Sequence, residues 1–257
     1  MPVALALSPH LDDAAFSCGG TLATLADSGW RVVMATIFTA SVPDPKGFAL
    51  ACQTDKGLGP EIDYMALRRE EDRRAADALG IAPPLHLPFR EAPHRGYSSP
   101  KELFAGPRDD DAIVAALSDA ISQLVRDVAP DLVLAPQAVG GHVDHVQLVR
   151  ALGSVRMDAP ILWWRDFPYT VRHAEPKEPF GSDFAALPER AIHYSVSAEA
   201  RKGRACAAYG TQLGYQFGGV DGLMRRLADE ARSERFRLSG VLPGEAAAVF
   251  EDHASRP

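Results

Sequence analysis

Short unbroken apolar runs alternate with amphipathic stretches along this chain, and that alternation constrains its fold more than any other feature. Val3-Ala4-Leu5-Ala6-Leu7 stops at Ser8-Pro9, and the pattern returns at 31–38 (RVVMATIF) and at 131–135 (DLVLA). A run that is apolar at every position, yet too short for an ordinary helix, predicts a strand buried on both faces. Between these runs, 19–28 reads as a helix closed by Gly29, and 64–79 as a long helix stopped by Gly80. A third helix is expected over 110–128, with Asp109, Asp110 and Asp111 at its positive end, and a fourth over 143–152. Further strands are expected at 85–87, 161–165 and 191–196, and helices at 198–209 and 220–233. Strands separated by single helices predict an α/β fold: a Rossmann-like, mostly parallel sheet with helices on both faces. No repeat or low-complexity linker interrupts 1–257, which reads as a single domain. The stretches 39–63, 88–108 and 173–189 are dense in Pro, Gly and polar residues and read as long active-site loops.

Composition removes several functions. The formal charge of −7, from 27 basic and 34 acidic residues, disfavours nucleic acid and anionic membranes as partners. Three scattered cysteines (Cys18, Cys52, Cys206) suit neither a disulfide scaffold nor a four-cysteine zinc site. Met1 to Leu7 lacks the basic region of a signal peptide, and no run approaches the roughly 18 apolar residues of a membrane span, so a cytoplasmic protein is expected. The basic residues divide into 22 Arg and 5 Lys, a ratio that the codons of a GC-rich bacterium would produce. A homo-oligomer stays open.

Two clusters of nitrogen and oxygen donors follow buried strands. His10, Asp12 and Asp13 sit where the first run ends, and ligands bind at the carboxyl ends of strands in open α/β sheets. His10 and Asp13 are suitable ligands for a divalent metal such as Zn2+, beside which Asp12 could take a proton from water. Gly140-Gly141-His142-Val143-Asp144-His145 opens the helix after the run at 131–135. Spacing of three aims His142 and His145 from one helix face, and Asp144 could orient an imidazole from behind. Taken singly, the acids could simply cap a helix and the histidines could be exposed. Together the clusters point to one three-ligand metal site with an open position, the pattern of catalytic zinc. The first turn lacks the glycines of a dinucleotide or phosphate loop, and no G-x-S-x-G occurs.

These residues resemble a known family. Ser-Pro-His10-Leu-Asp12-Asp13 is similar to the H-P-D-D signature of the LmbE-like, or PIG-L, zinc-dependent N-deacetylases, and His142-Val-Asp144-His145 to their H-x-D-H motif. Arg68-Arg69-Glu70-Glu71 with Leu79-Gly80, Ala92-Pro93-His94-Arg95, the D-x-P-Y segment Asp166 to Tyr169, and KGRACAAYGTQ at 202–212 extend the resemblance along most of the chain. It implies His10, Asp13 and His145 as ligands of one Zn2+, or another divalent ion, per chain. It further implies Asp12 as general base and His142 as the group that stabilises the oxyanion or protonates the leaving amine. Leu11 and Ala14 depart from the usual Pro and Glu. Gly140 stands where some members carry a Tyr that assists as an acid, so His142 or another loop residue must take that part.

Arg68, Arg95, Asp166 and Tyr169 are candidate substrate contacts. Arg69 is the alternative to Arg68 as that contact, but the polar face that carries both (Arg68 to Arg74 and Asp77) reads first as solvated, and His94 with Arg95 either lines the pocket or lies in a solvated loop. Trp163, Trp164 and Tyr169 serve as core or stack on a sugar, and Cys18 reads as a buried small hydrophobe. His86, His173, His193 and His253 are assigned nothing. The expected activity is hydrolysis of the acetamide of an N-acetylglucosamine-type sugar or its conjugate. The alternatives are an amidase for a thiol conjugate or acylated glycopeptide, and a non-catalytic metal- or carbohydrate-binding module.

Overall fold

The computed structural model describes residues 1–172 and 174–254, so His173 and the side chain of His253 lie outside the described residues. The first apolar run forms β1 (Val3–Ser8), in which Ala4 and Ala6 enter one core and Leu5 and Leu7 the other. Both faces of the strand are covered, which is why its sequence shows no polar alternation. Six more strands join it: β2 (Arg31–Thr36), β3 (Leu85–His86), β4 (Leu132–Pro136), β5 (Ile161–Trp164), β6 (Glu189–His193) and β7 (Ser233–Ser239). Their order is β3-β2-β1-β4-β5-β7-β6. The first five strands are parallel, whereas β7 runs antiparallel to both β5 and β6. Helices Asp13–Asp27, Tyr64–Leu79 and Val196–Ala207 pack into the core on one face, and Ile113–Val128 and Val143–Leu152 into the core on the other. The chain builds outward from β1 to β3 and then returns to β1's other side as β4. The crevice beyond the carboxyl ends of β1 and β4 is therefore a topological switch point, where α/β sheets bind ligands. Among the described residues no helix is long and apolar enough to cross a membrane.

Several expectations need correction. The first helix begins at Asp13, not at 19, but it breaks at Cys18 (φ −140°, ψ 18°), so the expected segment is its second half. The break frees the amides of Gly20 and Thr21, which donate to the Glu234 carboxylate at 2.9 and 2.8 Å. An acid on β7 thus caps a helix start inside the core. The helix expected over 220–233 ends at Ala228, and Ser233 opens β7, where Glu234, Phe236 and Leu238 alternate inward. The strand expected over 191–196 is Glu189–His193, and Ser195 caps the next helix from Val196. The three irregular stretches hold the short helices Gly47–Thr54, Pro100–Leu103 and Gly181–Ala185.

The largest correction concerns the helix Tyr64–Leu79. Its polar residues do not all face water: Arg68, Glu71 and Asp72 are buried. Glu71 accepts from the Thr211 amide and hydroxyl at 2.8 and 2.7 Å, and Asp72 from the Tyr209 phenol at 2.6 Å. These bonds fix the helix Gly210–Phe217 beside the crevice. Trp163 and Trp164 are core, with Trp164 fully enclosed.

Candidate active site

The turn after β1 is self-bonded. The Ser8 hydroxyl donates to the His10 carbonyl and accepts from the Ala14 amide, and the His10 amide donates to Asp13 Oδ2 at 2.8 Å. Helix Val143–Leu152 brings the second cluster to the same point, with His142 as its N-cap: the Asp144 amide donates to His142 Nδ1 at 3.2 Å.

Carboxylates behind two imidazoles set their tautomers. His10 Nε2 lies 2.9 Å from Asp144 Oδ2, and His145 Nδ1 lies 2.7 Å from Asp166 Oδ1. An ionised carboxylate only accepts, so each imidazole carries its proton on that side and presents a lone pair on the other. The two free atoms, His10 Nδ1 and His145 Nε2, are 3.3 Å apart, and each is 3.2 Å from Asp13 Oδ2. A tetrahedral ion with bonds of about 2.0–2.1 Å requires donor–donor edges of about 3.3 Å. The three donors fit a divalent ion. His10, His142 and His145 also bring one nitrogen each within 4.8 Å of one another. That group is looser, and His142 Nδ1 already accepts from the Asp144 amide, so the triangle closed by Asp13 is the better cage.

The charges around the triangle suit a divalent cation. Burial alone would lower the basicity of His145, but Asp13 and Asp166 raise it to about 9. His10 likewise stands well above the usual range, with Asp13 and Asp144 outweighing burial. Burial pushes Asp13 up, and the His145 and His10 rings more than offset that, holding it well below the ordinary carboxylate range. His142 differs. Burial, reinforced by His10, lowers it to about 3, so it is a neutral imidazole whose Nε2–H is left for the cavity. Asp12 stands outside the triangle. Burial and the neighbouring Asp13 lift its carboxyl to about 6, against the Arg68 charge. Its Oδ1 lies 3.6 Å from Arg68 Nη2, and its Oδ2 accepts from Gln216 Nε2 at 3.0 Å.

Of the expected substrate contacts, Tyr169 alone lines the adjoining cavity of about 550 Å³. Arg68 reaches Asp12 and Glu91 instead. Arg95 is turned back, with Nη1 2.7 Å from Asp144 Oδ1 and Nη2 2.9 Å from Asp111 Oδ2, and Asp166 is enclosed behind His145. Asp111 therefore anchors Arg95 and does not cap the helix Ile113–Val128. Two of the long loops give the cavity Phe48, Lys56 and Phe104, the short helix Tyr169–Arg172 gives Tyr169 and Arg172, and the helix Gly210–Phe217 gives Tyr215. Gly140 has φ +94°, and a Cβ on it would meet the Tyr169 ring at 2.5 Å, so Tyr169 fills the place of a side chain at 140. Gln216 belongs to no motif. Its closeness to Asp12, 204 residues away in the chain, could only emerge from the fold.

A model of the family described as PIG-L, GlcNAc-PI de-N-acetylase, matches residues 5–155. The 2'-N-acetylparomamine deacetylase of Streptomyces fradiae is 35% identical over 191 residues, which is 69% of this chain. The match spans 65% of that relative, just under two thirds of its length. Among solved structures, a teicoplanin deacetylase in a zinc-inhibited form superimposes with a TM-score of 0.78 at 25% identity, covering 92% of this chain and 98% of the other. The deacetylase of the pseudoaglycone of the antimicrobial A40926 superimposes with a TM-score of 0.77 at 28% identity, covering 92% and 96%.

Proposed function

The chain belongs to the PIG-L family of de-N-acetylases, and from that membership and the site geometry we propose that it hydrolyses the acetamide of an N-acetylglucosamine-type sugar or its conjugate. The observation that carries the reading is the near-equilateral triangle of His10, Asp13 and His145 with Asp12 standing outside it. Binding an ion does not need that fourth group, whereas hydrolysis needs a base. Two imidazoles, one carboxylate and an open position favour one zinc ion per chain. The names of the relatives, N-acetylparomamine deacetylase and teicoplanin deacetylase, support an acetylated substrate. The acidic charge supports a small-molecule substrate, and the Streptomyces relative supports a bacterial source.

An ion held in the triangle supplies Lewis acidity toward the amide carbonyl and toward water. Asp12 accepts the proton of the attacking water, through Oδ1 while Oδ2 is engaged by Gln216. The His142 Nε2–H donates to the oxygen on which negative charge develops. Because His142 is neutral, the proton delivered to the departing amine is the one that Asp12 has taken up. Arg95 acts at one remove: it holds Asp144, which holds the His10 ring.

Acetate release from N-acetylglucosamine and its conjugates, before and after chelation and with zinc restored, tests the reading. Chelator-sensitive release is expected. A zinc-loaded protein that frees no acetate from any acetylated amino sugar would end it. Arg95→Leu should weaken zinc binding about 10- to 100-fold in competition with a chromogenic chelator, because Asp144 loses its cationic support. Unchanged zinc affinity would show that Asp144 orients His10 unaided.

A further inference from the structure

Gln216 is a carboxamide with one end engaged and the other idle. It stands on the helix Gly210–Phe217 and lines the cavity together with His142 and Tyr169. Its Nε2 donates to Asp12 Oδ2 at 3.0 Å. A carboxylate cannot donate, so the NH2 end must face Asp12 and the carbonyl must face elsewhere. That carbonyl oxygen, Oε1, is buried and has no hydrogen-bond partner among the described residues. A buried acceptor without a donor is costly, and one on a residue that lines a cavity can be completed by what the cavity binds. The two ends of a carboxamide are coplanar and rigidly spaced. A donor bound to Oε1 is therefore held close to the Asp12 carboxylate, where the departing nitrogen must lie to receive its proton.

We propose that Gln216 positions Asp12 through its NH2 end and, through its carbonyl, accepts a hydrogen bond from the amino-sugar side of the scissile amide. The donor is the amide N–H or the hydroxyl on the adjacent ring carbon. The inference rests on the deacetylase reading and adds to it a residue that couples the base to the substrate. Arg68, which also stands beside Asp12, cannot do this, since a guanidinium has no acceptor.

Two variants separate the two ends. Gln216→Met keeps the length and loses both polar groups; Gln216→Glu keeps an acceptor for the substrate and loses the donor to Asp12. In zinc-loaded enzyme, Gln216→Met should lower kcat about 10- to 100-fold and raise KM several-fold, about the effect of losing one hydrogen bond to a charged group and one to a neutral group. Gln216→Glu should lower kcat and leave KM near the wild-type value. Melting curves and zinc content confirm that each variant is folded and loaded, and Gln216→Glu alone decides the Asp12 contact if Gln216→Met does not fold. Calorimetric binding of uncleaved N-acetylglucosamine conjugate to Asp12→Asn protein, with and without Gln216→Met, reads the carbonyl contact without turnover; weaker binding in the double variant is expected. A substrate lacking the adjacent hydroxyl distinguishes the donors. If the hydroxyl donates, that substrate no longer discriminates wild type from Gln216→Met in KM; if the amide N–H donates, the discrimination persists. Wild-type kcat and KM in Gln216→Met overturn the inference while acetate release by the parent enzyme leaves the deacetylase reading standing. A parent enzyme inactive on every acetylated sugar overturns the deacetylase reading itself.

Discussion

Asp12→Asn should lower kcat by about 10²- to 10⁴-fold while the protein retains its zinc and its fold. Asparagine occupies nearly the same space, and its carbonyl can still accept from Gln216. The triangle of His10 Nδ1, Asp13 Oδ2 and His145 Nε2 does not include Asp12, so the ion's donors are untouched. What disappears is the proton acceptor, together with the carboxylic acid that would return the proton to the amine. A thousandfold loss corresponds to about 4 kcal/mol of transition-state stabilisation. Arg68 also loses a counter-charge, but Glu91 remains with it, so only a small fall in melting temperature is expected. Zinc content, melting temperature and acetate release measured on one preparation separate these effects. A variant with normal zinc and near-normal turnover would remove Asp12 as the base. A variant that has lost its zinc would move Asp12 into the ion's own ligand set.

The parts of this molecule that could be read from the chain are those whose residues are close in sequence. β1 and β4 show as apolar runs because both faces of the sheet are covered, and the two donor clusters show because each lies within a few residues of a strand's end. Their meeting follows from the order of parallel strands. The rest depends on partners far along the chain. Arg68, Glu71 and Asp72 look like a wet helix face, yet each is buried and matched by a group far along the chain: Glu91, Thr211 and Tyr209. β7 is hidden because its first inward residue is Glu234, so only Phe236 and Leu238 are left to signal a strand, and the charged stretch before it reads as helix. The motif KGRACAAYGTQ was visible as a pattern, but its physical content was not. Lys202, Tyr209 and Gln212 are all buried, and their partners lie on other elements.

Lys202 carries the second large effect: Lys202→Met should lower the free energy of unfolding by about 3–5 kcal/mol near neutral pH. Its ammonium sits 2.5 Å from Glu230 Oε2 and 2.7 Å from Glu234 Oε1, with the side chain almost wholly enclosed. Burial alone would push Lys202 down, but Glu230 and Glu234 hold it well above its ordinary range. Because its folded value lies above its unfolded value of about 10.4, its stabilising contribution is fully present throughout pH 5–8 and fades only in strong alkali. Methionine fills the same space, so little of the loss comes from a cavity. The loss comes from two carboxylates left without a cation. Burial already raises Glu230 even beside the ammonium, and removing the ammonium raises it further. A carboxyl whose folded value exceeds its unfolded one stabilises while protonated and loses that contribution as pH rises through the folded value. The deficit of Lys202→Met should therefore be smaller at pH 5 than at pH 8, and Lys202→Met/Glu230→Gln should recover part of it. Urea unfolding of the three proteins at both pH values measures this. A deficit that does not change with pH would show that the lysine matters through packing and not as a counter-ion. The consequence reaches the ion site, because Glu234 also caps Gly20 and Thr21 in the helix that begins at Asp13. A loosened cap frees the helix that carries a ligand at its first residue, so weaker zinc binding should accompany the lost stability, although Lys202 touches neither the ion's donors nor the cavity.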